Sequence, residues 1–281
     1  MKHVVRHTHR FVDHAARVLN DNGRRLDLSV DRHRRDDPIS SVLLLIGRAN
    51  GVHGCRRGPC LILNKRSRFV RQAGDLCFPG GGIAPRRDSL LARLLRLPGM
   101  PLARWPYWAH WRRNDRSRAE LVALFFAIGL RESFEEMRLN PLGVDLVGPL
   151  PPQRLRMFQR TIYPVAAWVP RQKHYFPNWE VEKIVPLPIE HLLRPGGYLR
   201  CRLIYPGQVQ AKLNHRAEDL PCFRFDDGEG AQLLWGATYH IVVTFLELVL
   251  GFRPPPLGSR PLVMKPMAPD YLSGPRCAVQ K

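Results

Sequence analysis

The chain has 281 residues, enough for one large domain or two small ones, and 44% of them are apolar, enough to bury an ordinary core. Forty-four Lys and Arg against 24 Asp and Glu leave a net charge of +20, so the surface attracts anions: phosphorylated small molecules, nucleic acid or an acidic membrane. The longest apolar runs, Val42 to Ile46 and Leu121 to Leu130, fall well short of the ~20 residues of a bilayer span, so neither a membrane helix nor a membrane partner is expected.

Residues 1–38 mix Arg, His and Asp without a long apolar stripe and read as a basic N-terminal extension, with the compact domain starting near Ile39. His3, His7, His9 and His14 suit a solvated cationic arm better than a metal site, since no Cys or firm ligand spacing accompanies them. The start also lacks the continuous apolar segment of a signal peptide. Cysteines at 55, 60, 77, 201, 222 and 277 are too scattered for a disulfide scaffold, and Cys55 and Cys60 have no second pair at zinc-ribbon spacing. A reducing cytoplasm is the expected compartment.

Ser40 to Gly47 predicts a buried strand, and a Gly-rich turn at 51–58 joins it to Cys60 to Asn64 as a hairpin. Asp75-Leu-Cys-Phe-Pro-Gly-Gly-Gly82 predicts a short strand running into a glycine loop. Residues 86–118 carry nine Arg, two Asp and three Pro, with Trp105, Trp108 and Trp111 three apart, and read as an insertion laid over the domain. The tryptophans suit pinning that insertion better than stacking on bases or holding an acyl chain. Ala119 to Asn140 is the longest helical segment, stopped by Pro141. Strands are expected at Val144 to Leu150, Thr161 to Val169 and Tyr198 to Ile204, and helices near Ile189 to Leu193 and at Gly236 to Leu250. The Pro-rich tail, 253–281, is expected to wrap loosely or stay disordered. Strands alternating with isolated helices point to α/β or α+β with a mixed sheet.

The chemistry concentrates in Arg131-Glu-Ser-Phe-Glu-Glu136. At about 100° per residue Glu132, Glu135 and Glu136 share an arc of about 100°, opposite Ala123, Phe126, Leu130, Phe134 and Met137. Three carboxylates so close repel one another, and a hard divalent cation removes the conflict. Arg131 can orient Glu135 one turn later or hold Glu132 from the side. Upstream, Gly80 to Gly82 allow the backbone to approach a phosphate or metal without a Cβ in the way. The plainer readings are a solvated face of an amphipathic helix and an ordinary tight turn.

At these residues the chain resembles the Nudix hydrolases, whose signature runs Gly, five residues, Glu, seven residues, Arg-Glu-U-x-Glu-Glu-x-Gly-U, with U apolar. Gly81 or Gly82 opens the signature here and Arg131-Glu-Ser-Phe-Glu-Glu-Met-Arg-Leu139 closes it. Ser133 replaces an aliphatic residue, Arg138 stands at the Gly, Asp88 is the candidate for the first Glu, and about 34 extra residues interrupt the middle. An Arg at that Gly position predicts either a positive φ, at a cost of roughly 1 kcal/mol, or a helix continuing to Asn140. Ile62-Leu-Asn-Lys-Arg-Ser67, Arg71, Gly74 and Phe78-Pro-Gly-Gly81 are similar to the pattern of the coenzyme A diphosphatase branch, with Asn64 in place of its Thr. Asn178-Trp-Glu-Val-Glu-Lys-Ile184 and Leu234-Trp-Gly-Ala-Thr238 resemble later segments of that branch.

The resemblance implies a Nudix-type α/β/α sandwich around a mixed sheet over 39–252, and hydrolysis of coenzyme A or acyl-CoA to 3′,5′-ADP and (acyl-)4′-phosphopantetheine. It implies that Glu132, Glu135 and Glu136 hold Mg²⁺ or Mn²⁺ and that Arg131 orients a glutamate, together forming the catalytic set. Arg66, Arg71, Gly81, Gly82 and Glu180 are the candidate substrate-binding residues, with the arginines meeting phosphate oxygens. The general base stays open between Glu132 and Glu180. The expected partner is a small nucleoside diphosphate derivative. The alternatives are a Nudix-fold RNA- or nucleotide-binding protein, suggested by the basic excess, and a diphosphatase for another substrate, such as a sugar nucleotide or NADH.

Overall fold

In the computed structural model the described residues are 5, 7–21, 39–48, 58–155, 160–204, 219–271 and 274. The predicted turn residues at 51–57, with Cys55, and His3, Cys277 and the tail end at 275–281 lie outside them. From the N-terminus come α1 (Thr8–Asp21), β1 (Ile39–Arg48), β2 (Pro59–Arg66), the short β3 (Leu76–Cys77) and β4 (Gly80–Gly82), then α2 (Pro85–Leu94), α3 (Pro101–Arg104), α4 (Trp108–Asn114) and α5 (Arg116–Met137). There follow β5 (Asp145–Pro149), β6 (Gln153–Leu155), β7 (Arg160–Trp168), β8 (Val181–Pro188), α6 (Ile189–Leu192), β9 (Tyr198–Ile204), β10 (Asp219–Asp226), β11 (Ala231–Trp235), α7 (Gly236–Leu250) and β12 (Leu262–Pro266).

The main sheet runs β3-β2-β1-β7-β5, with β4 on β1, β6 on β7 and β8 on β2. β1 and β2 form the antiparallel hairpin, while β1 pairs β7 in parallel, so the sheet is mixed. Side chains of a strand alternate between faces, and β1 is apolar on both. Leu44 and Ile46 pack against α1 and α7, whereas Leu43 and Leu45 pack against α5 and the 86–118 insertion. Helices on both faces of a mixed sheet make the expected α/β/α sandwich.

α1 corrects the reading of the N-terminal extension as a solvated arm. Phe11, Ala15 and Leu19 recur every four residues and are fully buried, and the Phe11 ring meets Phe245 of α7 edge-on at 6.1 Å. Six residues of this helix, His, Arg or Asp, hide an apolar stripe on its other face. Residues 22–38 lie outside the described part.

The insertion folds into α2, α3 and α4, and its tryptophans point inward: Trp105, Trp108 and Trp111 are nearly buried. Trp111 Nε1 donates to Asn20 Oδ1 at 3.0 Å, and Asn20 Nδ2 donates to the Val147 carbonyl at 2.8 Å. Insertion, α1 and the edge strand β5 are thereby joined, covering a sheet edge that would otherwise stay open. Buried indoles give bases nothing to stack on, which removes one motive for the nucleic-acid reading.

The tail is also corrected. β12 pairs in parallel with β9, completing a second sheet, β11-β10-β9-β12. Asp75 ties it down: its carboxylate accepts from Trp235 Nε1 at 2.9 Å and from the Tyr271 hydroxyl, and Lys265 Nζ lies 3.3 Å away. The Gln72 N–H donates to the Tyr271 carbonyl at 2.9 Å, so the tail braces the loop after β2. Among the described residues no helix is long and apolar enough to cross a membrane, and Cys77, Cys201 and Cys222 are free thiols.

Candidate active site

α5 starts where Asp115 accepts from the Arg118 N–H at 3.0 Å and stops at Met137. It does not continue to Asn140: Arg138 adopts the left-handed conformation, φ 55°. The cost of that conformation to a side chain is offset locally. The Arg138 and Leu139 N–H groups bond Phe134 and Ser133 carbonyls, the guanidinium sits 5.2 Å over the Phe134 ring, and Leu139 turns into the core. Ser133, in place of an aliphatic residue, is fully buried and donates its hydroxyl to the Gly129 carbonyl one turn back at 2.6 Å.

The last carbonyls of α5 are taken up by a distant loop. Phe176 N–H bonds Met137 O at 3.0 Å and Asn178 N–H bonds Glu136 O at 2.8 Å. These bonds bring Glu180 to the carboxylate helix, close enough that its charge raises the proton affinity of both Glu132 and Glu136. The same loop is tied to the segment after β2, since Ser67 N–H donates to Glu180 O at 2.8 Å and Ser67 Oγ to Trp179 O at 2.7 Å.

Arg131 is the hub. Its Nε donates to Asp88 Oδ1 at 2.7 Å, its Nη1 to Glu132 Oε1 at 2.9 Å and Glu135 Oε2 at 3.2 Å, and its Nη2 to the Gly82 carbonyl at 3.0 Å. Burial works against its charge, yet these carboxylates hold its pKa above the usual guanidinium value. Arg131 therefore contacts Glu132 and Glu135 at the same time. Asp88, fully buried, also accepts from the Ala84 N–H at 2.6 Å at the start of α2. Sequence alone left Asp88 as a stand-in; its contact with a residue 43 positions away is a tertiary fact.

The glycine loop closes over this helix. A Cβ on Gly81 would stand 2.2 Å from Glu132 Oε1, so only glycine allows the backbone so near the carboxylate. Gly82 is exposed and contributes its carbonyl to Arg131. Glu136 accepts from Asn64 Nδ2 at 2.6 Å, and Asn64 is fully buried with its Oδ1 unpartnered. Asn64, unassigned from sequence, thus belongs to the site; the pairing of β2 beside Cys77 of β3 brings it there.

Arg66 donates its Nε to the Arg71 carbonyl at 2.8 Å, and Cys77, half-buried and pushed up to about 12 chiefly by desolvation, senses both Arg66 and Glu136. Arg66 is therefore near the carboxylates. Arg71 is exposed and packs against Gly274, and among the described residues no hydrogen bond joins its side chain to the cluster.

Burial and the neighbouring Glu132 and Glu180 push Glu136 up to about 8, against the opposing pull of Asn64 and the Gly80 N–H. Glu132 is raised too, first by burial, with Arg131 opposing and Glu135 and Glu180 adding. Among the described residues no three His, Cys, Asp or Glu side chains close into a metal cage. What is present is a cluster of oxygen donors: Glu132, Glu135, Glu136, Glu180 and the orphaned amide oxygen of Asn64. That set fits a hard cation that keeps several of its waters.

A pH prediction follows from Glu136. Without a cation its folded-state value of about 8 lies above the ordinary 4.5, so its contribution to stability falls as pH rises through that window and levels off above it. A bound cation favours the ionised form. The rise in melting temperature on adding Mg²⁺ or Mn²⁺ is therefore expected to be larger near the top of the window than near its bottom, and a pH-independent rise would take Glu136 out of cation binding.

No family model matches the chain. It is 27% identical over 226 residues to an uncharacterized Nudix hydrolase, NudL, of Klebsiella pneumoniae, covering 79% of this chain and 88% of that protein. The NudL of Citrobacter koseri is 26% identical over 240 residues, covering 78% and 96%. Among solved structures, a Nudix hydrolase from Alicyclobacillus acidocaldarius aligns at 15% identity with TM-score 0.40 over 76% of this chain and 91% of its own. A MutT/nudix family protein from Enterococcus faecalis aligns at 9% identity with TM-score 0.37 over 82% and 67%. The sequence relatives support a hydrolase of the Nudix family.

Proposed function

We propose, on the premise that this chain is a Nudix hydrolase, that it is a metal-dependent diphosphatase acting on coenzyme A or acyl-CoA and releasing 3′,5′-ADP and (acyl-)4′-phosphopantetheine. The observation that carries the reading is the Arg131 hub, which holds Glu132 and Glu135 beside a glycine loop too close to tolerate a Cβ.

The residues divide the work as follows. Glu132, Glu135 and Glu136 would hold Mg²⁺ or Mn²⁺, with Asn64 fixing the Glu136 carboxylate from the β2 side. The cation supplies charge neutralisation of the diphosphate and a water of lowered pKa. Arg131 keeps two glutamates at fixed positions and is itself fixed by Asp88, so little reorganisation is needed when charge develops. Glu132 or Glu180 would accept the proton of the attacking water, the charge of Glu180 being felt at Glu132. Arg66, near the carboxylates, meets phosphate oxygens, and Arg71 lies on the same loop, braced by the tail. Trp179 and Phe69 remain 65% and 56% exposed on the two loops joined through Ser67, and offer apolar surface to the part of the substrate beyond the diphosphate.

The test is turnover. Purified protein with Mg²⁺ is expected to release 3′,5′-ADP from coenzyme A and to act far more weakly on NADH and ADP-ribose. Comparable turnover of all three would defeat the coenzyme A assignment while leaving the hydrolase, and no turnover of any would defeat both.

A further inference from the structure

We infer that the outer face of α2 is a docking surface for an anionic lipid bilayer. α2 lies between the glycine loop and α5 and is apolar on two sides. Its inner side carries Asp88 and Ala92, both buried, followed by buried Leu95. Its outer side exposes Leu90 at 59% and Leu94 at 42%, and Leu97, at 52%, continues the stripe in a turn whose N–H bonds the Leu94 carbonyl at 3.0 Å.

Leucines exposed to this extent at consecutive turns of one helix are unfavourable in water and mark a contact surface. Their flanks identify the partner. At about 100° per residue Arg86, Arg87, Leu90, Arg93 and Leu94 share an arc of about 120°, with the arginines outside the leucines. All three arginines are exposed, and among the described residues none of them has a carboxylate partner. The one acid of the helix, Asp88, is turned inward to Arg131. An apolar strip with cationic margins is how a surface helix meets a bilayer, leucines in the acyl boundary and guanidinium groups reaching to phosphates.

Other occupants fit less well. A second copy would bring like charges face to face. Nucleic acid would meet the arginines but leave the leucines without a partner, and the neighbouring indoles that could stack on bases are buried. The sequence suggested no membrane partner because no run is long enough to span, but a helix that lies on a surface needs no span. Asp88 on the inner side bonds Arg131, so the docked helix and the carboxylate site share one rigid element.

Sedimentation of the full-length protein with vesicles tests this independently of any turnover. Phosphatidylcholine vesicles containing phosphatidylglycerol are expected to carry the protein down, neutral phosphatidylcholine vesicles much less, with binding weakened by salt. The pair Leu90→Ser and Leu94→Ser, and separately Arg86→Glu and Arg93→Glu, are each expected to weaken anionic-vesicle binding by about tenfold or more, with circular dichroism unchanged because the side chains are exposed. Equal binding to neutral and anionic vesicles would overturn the proposal. So would anionic binding that the leucine pair leaves intact, or binding confined to single-stranded RNA and insensitive to the leucine pair.

Discussion

Glu136→Gln is expected to lower turnover on the order of a hundredfold to a thousandfold, the range for removing one charge that stabilises a developing transition state. The substitution keeps the shape and leaves Asn64 Nδ2 an oxygen to bond. It also removes a carboxyl whose ionised form is opposed by burial and by Glu132 and Glu180, so the metal-free protein should be at least as stable as before, most visibly at alkaline pH. Steady-state kinetics and a thermal melt of the same preparation check both halves. Turnover within a few-fold of the parent would remove Glu136 from the reacting centre, whereas lost turnover with lost folding would point to a structural carboxyl.

Asp88→Ala is expected to cost about 3–5 kcal/mol of stability, because it takes one partner from a buried ion pair. Arg131 would keep its charge at 15% side-chain exposure without its shortest partner, and the Ala84 N–H would lose its acceptor at the start of α2. The released guanidinium no longer holds Glu132 and Glu135 at fixed positions, so turnover should fall along with stability. Urea unfolding measures the first effect. A loss below about 1 kcal/mol would mean that the Arg131–Asp88 pair is solvated, and the insertion would then be decoration rather than part of the site.

The insertion shows how sequence and tertiary structure divide the information. Its tryptophan spacing already favoured pinning over base stacking, and the indoles are buried. That α2 would carry both the partner of Arg131 on one side and exposed leucines on the other was not legible, because an apolar residue does not declare which of two faces it serves.

Strands β1 and β7, the helix α7 and most of α5 could be read from the chain because their apolar periodicity is local. The glutamate arc needed only the pitch of a helix. Other features could not be read this way, the strands β8, β10 and β11 among them. α1 was obscured by its charged residues, although its buried positions recur every four residues. β12 depends on a partner strand about sixty residues upstream. The positions of Glu180 and Asn64 depend on hydrogen bonds to residues remote in sequence. The sequence by itself therefore determined the alternation of strands with isolated helices and the acidic face of one helix, since side-chain direction within a helix or strand repeats over a few residues. Tertiary structure alone decided which charges meet at that face, which carboxyls are pushed toward their protonated form, and which buried acid anchors Arg131, because burial and Coulomb interaction depend on distances that only the folded chain sets.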